Sequence, residues 1–108
     1  MSEEYARIVR DNIPSLLEKE GYRVNYGFTA WPDKALSREL EREVGNFKRT
    51  YKKSETLEIL ANISEICIAY AQKLGFTEED LNKARLDKKE KEGGFEKDYF
   101  VYSISKTN

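Results

Sequence analysis

One carboxylate stands out for its position: Glu43 projects into the apolar stripe of a helix-length run over 34–52 and faces a second such run, over 54–74, that offers Ile59 and Asn62. Phosphoryl or pyrophosphate chemistry without histidine uses clustered carboxylates to hold magnesium, because hard divalent cations take oxygen ligands. Two helices supply four such groups when acids recur at i and i+3. Histidine is absent from the chain. Ser-His-Asp and Cys-His catalytic sets and the common His-ligated zinc sites are therefore excluded. Cys67 is the single cysteine, and on an apolar stripe it reads as an inert buried thiol rather than a nucleophile or disulfide partner.

The elements that must position these groups follow from periodicity. Leu36, Leu40, Val44, Phe47 and Tyr51 recur at steps of three and four, as do Ile59, Ile63, Ile66, Cys67, Tyr70 and Leu74, so each set gathers on one helical face. The basic link over 49–53 is short, which makes the two helices antiparallel neighbours. Asp33 and Ser54 are candidate caps for them, and Trp31 an anchor for the preceding turn. Leu57, Leu60, Ile68 and Ala71 lie on other sides of the second helix, a girth that calls for burial against more than one neighbour.

Toward the N-terminus, Asp11 can cap a short helix bearing Pro14, Ile13, Leu16 and Leu17, which Gly21 stops. Residues 23–29 alternate, with Val24, Tyr26 and Phe28 on one side, and read as a strand. Toward the C-terminus, Thr77-Glu78-Glu79-Asp80 has the pattern of a capping box opening a last helix through about Glu92. Lys83, Arg85, Lys88, Lys89 and Lys91 make that helix basic, either as a solvated face or, at Lys88, toward a ligand. Gly93-Gly94 breaks it, and the β-prone run 99–104 is expected to pair with 23–29 as a small two-stranded ribbon.

At 108 residues the chain fits one domain, 1–108. Hydrophobic content of 39% against 36% charged residues suits a small helical protein with solvated outer faces and a modest core. Covering the second helix calls for a partner subunit, so a homo-oligomer is expected. A formal net charge of −1 lacks the basic excess of a duplex nucleic-acid binder. No apolar run approaches the ~18 residues of a membrane span, and Met1-Ser2-Glu3-Glu4 does not open as a signal peptide. A soluble, cytoplasmic protein is expected, with no membrane partner.

Arg7-Ile8-Val9-Arg10-Asp11-Asn12-Ile13-Pro14 and Gly93-Gly94-Phe95-Glu96-Lys97 bracket the chain. The first resembles the Lys-Leu-Val-Arg-Asp-Lys-Ile-Pro opening of the MazG-like, all-α NTP pyrophosphohydrolase family, which includes phosphoribosyl-ATP pyrophosphohydrolase. The second resembles its closing Gly-Gly-Phe segment. The resemblance implies a mainly α, MazG-like helical bundle, and family members hold magnesium through Glu-x-x-Glu on one helix and Glu-x-x-Asp on the next. Aligned on Val44, Phe47 and the run Leu60-Ala61-Asn62-Ile63, those motifs fall on Glu43-x-x-Asn46 and Ile59-x-x-Asn62. Only Glu43 keeps its carboxylate. Asn46 and Asn62 keep the shape and lose the charge that balances a cation, and Ile59 keeps neither. Glu92 stands where the family has an arginine.

Glu39, Glu55, Glu58 and Glu65 lie nearby in sequence, but Glu58 and Glu65 sit about 100° or more from Ile59 by the helical period. On that reckoning their face does not meet Glu43, and they are solvated charges. Glu43 itself is open to two readings, a ligand contact or a salt bridge at a subunit boundary with a partner's Arg42. Arg7, Arg10 and Lys88 match basic positions of the family, whereas Asn12 replaces its second lysine. Guanidinium groups hold phosphate through paired hydrogen bonds without a metal.

The resemblance thus implies a degenerate member that binds a nucleotide or nucleotide-derived small molecule without hydrolysing it, through Arg7, Arg10, Asp11, Asn12, Glu43, Asn46, Asn62 and Lys88. No cofactor is expected. Sequestering a cyclic or ADP-ribose-like signal, as a phage-type sponge would, is one use of such a protein. The enzyme alternative is an NTP pyrophosphohydrolase with an altered Mg2+ shell, and the third is a scaffold that has lost its ligands.

Overall fold

Residues 7–107 are described by a computed structural model. It is mainly α, with four helices in order: α1 (Ile13–Lys19), α2 (Pro32–Arg49), α3 (Lys53–Lys73) and α4 (Glu78–Glu92). Pro32 opens α2, where its missing N–H would have had no helical partner in any case. Asp33 and Ser54 fall inside the first turns of α2 and α3 rather than at their caps, which are Trp31 and Lys52 with no side-chain cap. Asp33 there favours the helix through its charge, beside the positive end of the backbone dipole. Asn12, not Asp11, occupies the cap position of α1, again without a side-chain bond. Trp31 is exposed, with the Lys34 Nζ 5.8 Å from its ring centroid, so it does not anchor the turn by burial.

The expected capping box is present at α4. Thr77 Oγ1 accepts from the Asp80 N–H at 3.0 Å, and Asp80 Oδ2 accepts from the Thr77 N–H at 2.9 Å. Gly75, at φ +93°, ends α3 and lets the Phe76 N–H reach back to the Ala71 carbonyl at 2.9 Å. That left-handed turn favours glycine because positive φ strains any residue with a side chain, although the space around Gly75 is open.

Helix α2 packs along α3, and α3 packs on α4; among the described residues α1 packs against no other helix. The core so formed is small. Leu36, 6% exposed, is the one buried apolar residue among the described residues, and neither α3 nor α4 has a buried residue. Val44, Phe47 and Tyr51, expected on the inward stripe of α2, are exposed. The radius of gyration is 18.8 Å, against the ~13 Å of a compact domain of this length.

No strand forms among the described residues. The runs 23–29 and 99–104 have no regular secondary structure and do not pair, so the expected ribbon is absent. The physical reason is that an isolated two-stranded ribbon is marginal in water and gains stability only by packing an apolar face, which neither run does here: Tyr26, Phe28, Phe100, Tyr102 and Ile104 are all exposed. No described helix is long and apolar enough to cross a membrane.

Candidate functional site

The α2–α3 pair brings the sequence-marked positions to one place. Glu43 lies on the buried side of α2, 8% exposed. Asn62 approaches it from α3, and its Nδ2 donates to Glu43 Oε2 at 3.5 Å. From the N-terminal arm, Arg10 Nη2 donates to Asn62 Oδ1 at 2.9 Å. A single amide orientation satisfies both neighbours, oxygen toward the guanidinium and nitrogen toward the carboxylate. Three segments distant in sequence therefore meet at Asn62.

Beside this junction, Glu43, Asn46, Ile59 and Asn62 line a cavity of about 400 Å³. Arg49 and Thr50 close its α2 end, where Arg49 Nη2 donates to Asn46 Oδ1 at 2.9 Å. Glu55 and Glu58 complete the α3 wall, which corrects the expectation that Glu58 faces away. The angle had been reckoned from Ile59 alone, whereas residues 55, 58, 59 and 62 are linked by steps of three and four and form one continuous arc. Thr50 Oγ1 donates to Glu55 Oε2 at 3.0 Å, tying the helix link to this wall. With Glu43, Glu55 and Glu58 against Arg49, the lining is acidic on balance. Ile59 is half-buried on the wall rather than packed in a core.

Glu39, a nearby charge by sequence, is buried, 9% exposed, one turn before Glu43. Its Oε1 lies 3.4 Å from Arg7 Nη2 and its Oε2 3.3 Å from Arg42 Nε. Arg42 thus pairs within its own chain. The signal for Glu39 was present in the sequence, since Leu36, Glu39 and Glu43 follow the i, i+3, i+7 pattern of one face. Arg7 and Arg10 together fasten the N-terminal arm to α2 and α3.

The remaining expected site residues lie elsewhere. Lys88 is on α4, 77% exposed along its side chain, with Nζ 3.5 Å from Glu92 Oε2, and does not line the cavity. Asp11 and Asn12 are exposed in the turn before α1 and do not line it either. Cys67 is a free, half-buried thiol on a separate apolar groove between α3 and α4.

The fit to a divalent cation is poor at the aligned positions. Where the resemblance would place a metal between two carboxylates, the Asn62 amide N–H faces Glu43 at 3.5 Å and brings no negative charge to balance a cation. Among the described residues, no three acidic or cysteine side chains converge as a metal site. Compared with known proteins, the chain matches no family model, no curated protein and no solved structure.

Proposed function

We propose that this chain is a catalytically degenerate, MazG-like protein that binds a nucleotide or nucleotide-derived small molecule and releases it intact. One observation carries the reading. The four positions aligned by resemblance with the family's metal-binding motifs, Glu43, Asn46, Ile59 and Asn62, line one cavity, and Arg10 of the matching N-terminal motif bonds to one of them. The volume of about 400 Å³ is within the range of small-molecule sites, roughly 300 to 1,000 Å³.

The lining divides the ligand's chemistry. Arg7 and Arg10 do not line the cavity; phosphate belongs beside it, at the arm, where Arg10 has spent one of its five N–H donors on Asn62. Hydroxyl and amino donors of ribose or base belong against Glu43, Glu55 and Glu58, which accept only. Asn46 and Asn62 both donate and accept. Lys88 has no part in this arrangement. A cytoplasmic, homo-oligomeric protein fits the reading, because the helix pair leaves much apolar surface to be covered.

A second reading is an NTP pyrophosphohydrolase with an altered Mg2+ shell that draws on Glu55 and Glu58, which line the cavity with Glu43 although the three do not converge as a metal site. The test is calorimetry with nucleoside phosphates, dinucleotides, cyclic oligonucleotides and ADP-ribose derivatives, followed by chromatography of the recovered ligand. Binding with the ligand intact, weakened about tenfold or more by Arg10→Ala through loss of a charged contact, is expected. A cleaved product would replace the proposal with the enzyme, and no binding across the panel would leave a scaffold.

A further inference from the structure

A buried carboxylate holds its charge only with donors around it, and Glu43 has few. The residue is 8% exposed. Of its two oxygens only Oε2 has a partner among the described residues, Asn62 Nδ2 at 3.5 Å, and none of the ion pairs among them includes Glu43. Because Glu43 lines the α2–α3 cavity, a ligand in that cavity can supply the missing donors.

Asn46 lines the same cavity with the opposite need. Its Oδ1 accepts from Arg49 Nη2 at 2.9 Å, which leaves the amide Nδ2, without a partner among the described residues, as a donor. Gly45 makes room for this contact, since a Cβ at position 45 would come 3.3 Å from Arg49 Nη1. Positions 43 and 46 are three apart on α2 and are neighbours on one helix face. Together they present two acceptors and a donor.

We propose that this set reads the Watson–Crick edge of guanine, with the Glu43 carboxylate accepting from N1–H and the 2-amino group and the Asn46 amide donating to O6. The proposal rests on the nucleotide reading above and names its base. Guanine is the common base with two adjacent N–H donors beside an acceptor. Adenine sets one amino group beside a bare N1, cytosine one amino group beside two acceptors, and uracil one N–H between two carbonyls. Each of these would bring a lone pair against the buried carboxylate, and unpaired polar groups are where binding sites discriminate most. A carboxylate oxygen accepts two bonds, so Oε2 can keep Asn62 while meeting the base.

Charge decides which end of the nucleotide enters. Among the described residues the lining holds one cation, Arg49, already engaged by Asn46, against Glu43, Glu55 and Glu58. Such a wall repels phosphate and admits the neutral base. Phosphate then lies outside, on the side of Arg10, which reaches the cavity wall through Asn62.

The test is calorimetry on the full chain with guanosine, inosine, adenosine, cytidine and uridine monophosphates and with the cyclic dinucleotides of guanine and of adenine. The guanine member of each set should bind about tenfold or more tighter than the adenine one, the usual worth of hydrogen bonds to a charged group. Inosine monophosphate, which lacks only the 2-amino group, should fall between guanosine and adenosine monophosphates. Glu43→Gln, which exchanges one acceptor for a donor at constant shape, should bring guanosine monophosphate down to the adenosine level and leave the adenosine compound nearly unchanged. Arg10→Ala should instead weaken every member alike. A panel bound without preference among bases would overturn the guanine assignment and leave the nucleotide reading standing, whereas no binding by any member would overturn both. A guanine preference that survives in a folded Glu43→Gln would overturn the role given to the carboxylate. Should circular dichroism show that variant unfolded, the parent decides, and equal affinity for guanosine and inosine monophosphates would overturn the proposal.

Discussion

Across the α2–α3 interface the Asn62 amide gives a proton donor to the Glu43 carboxylate, at 3.5 Å. A carboxylate at position 62 would instead set two negative charges side by side and call for a cation between them. The amide does part of that cation's structural work, since its positive end meets Glu43 while its oxygen takes the Arg10 guanidinium.

Removing that bridge should therefore be felt on both sides. Asn62→Ala deletes both contacts, one of them to a buried carboxylate, and should lower stability by about 1 to 2 kcal/mol, the usual cost of a hydrogen-bonded group with a charged partner. Urea unfolding followed by circular dichroism checks it. A variant as stable as the parent would mean that the bridge is not held in solution.

A cation site can be built by sequence. In the triple variant Asn46→Glu, Ile59→Glu, Asn62→Asp the cavity gains a four-carboxylate set with Glu43, and its melting temperature should fall without metal and rise on adding Mg2+. The parent should show no such Mg2+ response. Melts with and without the metal, at matched ionic strength, decide the matter.

Catalysis is the complementary measurement. With Mg2+ or Mn2+ and a set of nucleoside triphosphates, the parent chain should release no pyrophosphate above a protein-free control. Turnover abolished by Glu55→Gln or Glu58→Gln would assign the chemistry to those carboxylates.

Glu39 should matter through its two arginines. Glu39→Ala removes one partner from Arg7 and one from Arg42, whose side chains are partly solvated, 34% and 46% exposed. The stability loss should be modest, about 1 kcal/mol once solvent screening is allowed for. Its clearer effect should be local, as the N-terminal arm loses a fastening to α2 and limited proteolysis near Arg7 becomes faster.

The last helix offers a control far from the cavity. Thr77→Ala removes one half of the capping box and should cost about 1 kcal/mol, with ligand binding unchanged. Thermal melts beside calorimetry would separate the two effects.

Much of this arrangement was legible in the sequence because it depends on local rules. Periodicity located α2, α3 and α4, the Thr77 box followed from its spacing, and the i, i+4 relation of apolar neighbours turned Glu43 inward. What was not legible depends on contacts distant in sequence. Glu39 is buried partly because Arg7, from another segment, lies against it. Ile59 lines a cavity together with Glu55 and Glu58 rather than packing in a core. Lys88 has the right charge and the wrong helix. The runs 23–29 and 99–104 have strand composition, but composition supplies no partner, and pairing needs a surface on which to pack.

The link between α2 and α3 is only residues 50–52, since α2 ends at Arg49 and α3 begins at Lys53. A hairpin closed through so short a loop is made of local contacts and forms in microseconds to milliseconds, as helical bundles do. Encounter with another molecule at about 1 μM is slower, roughly 0.1 to 10 per second at ordinary association rate constants. The Glu43–Asn62 junction therefore assembles on a newly made chain before it meets any other molecule at that concentration.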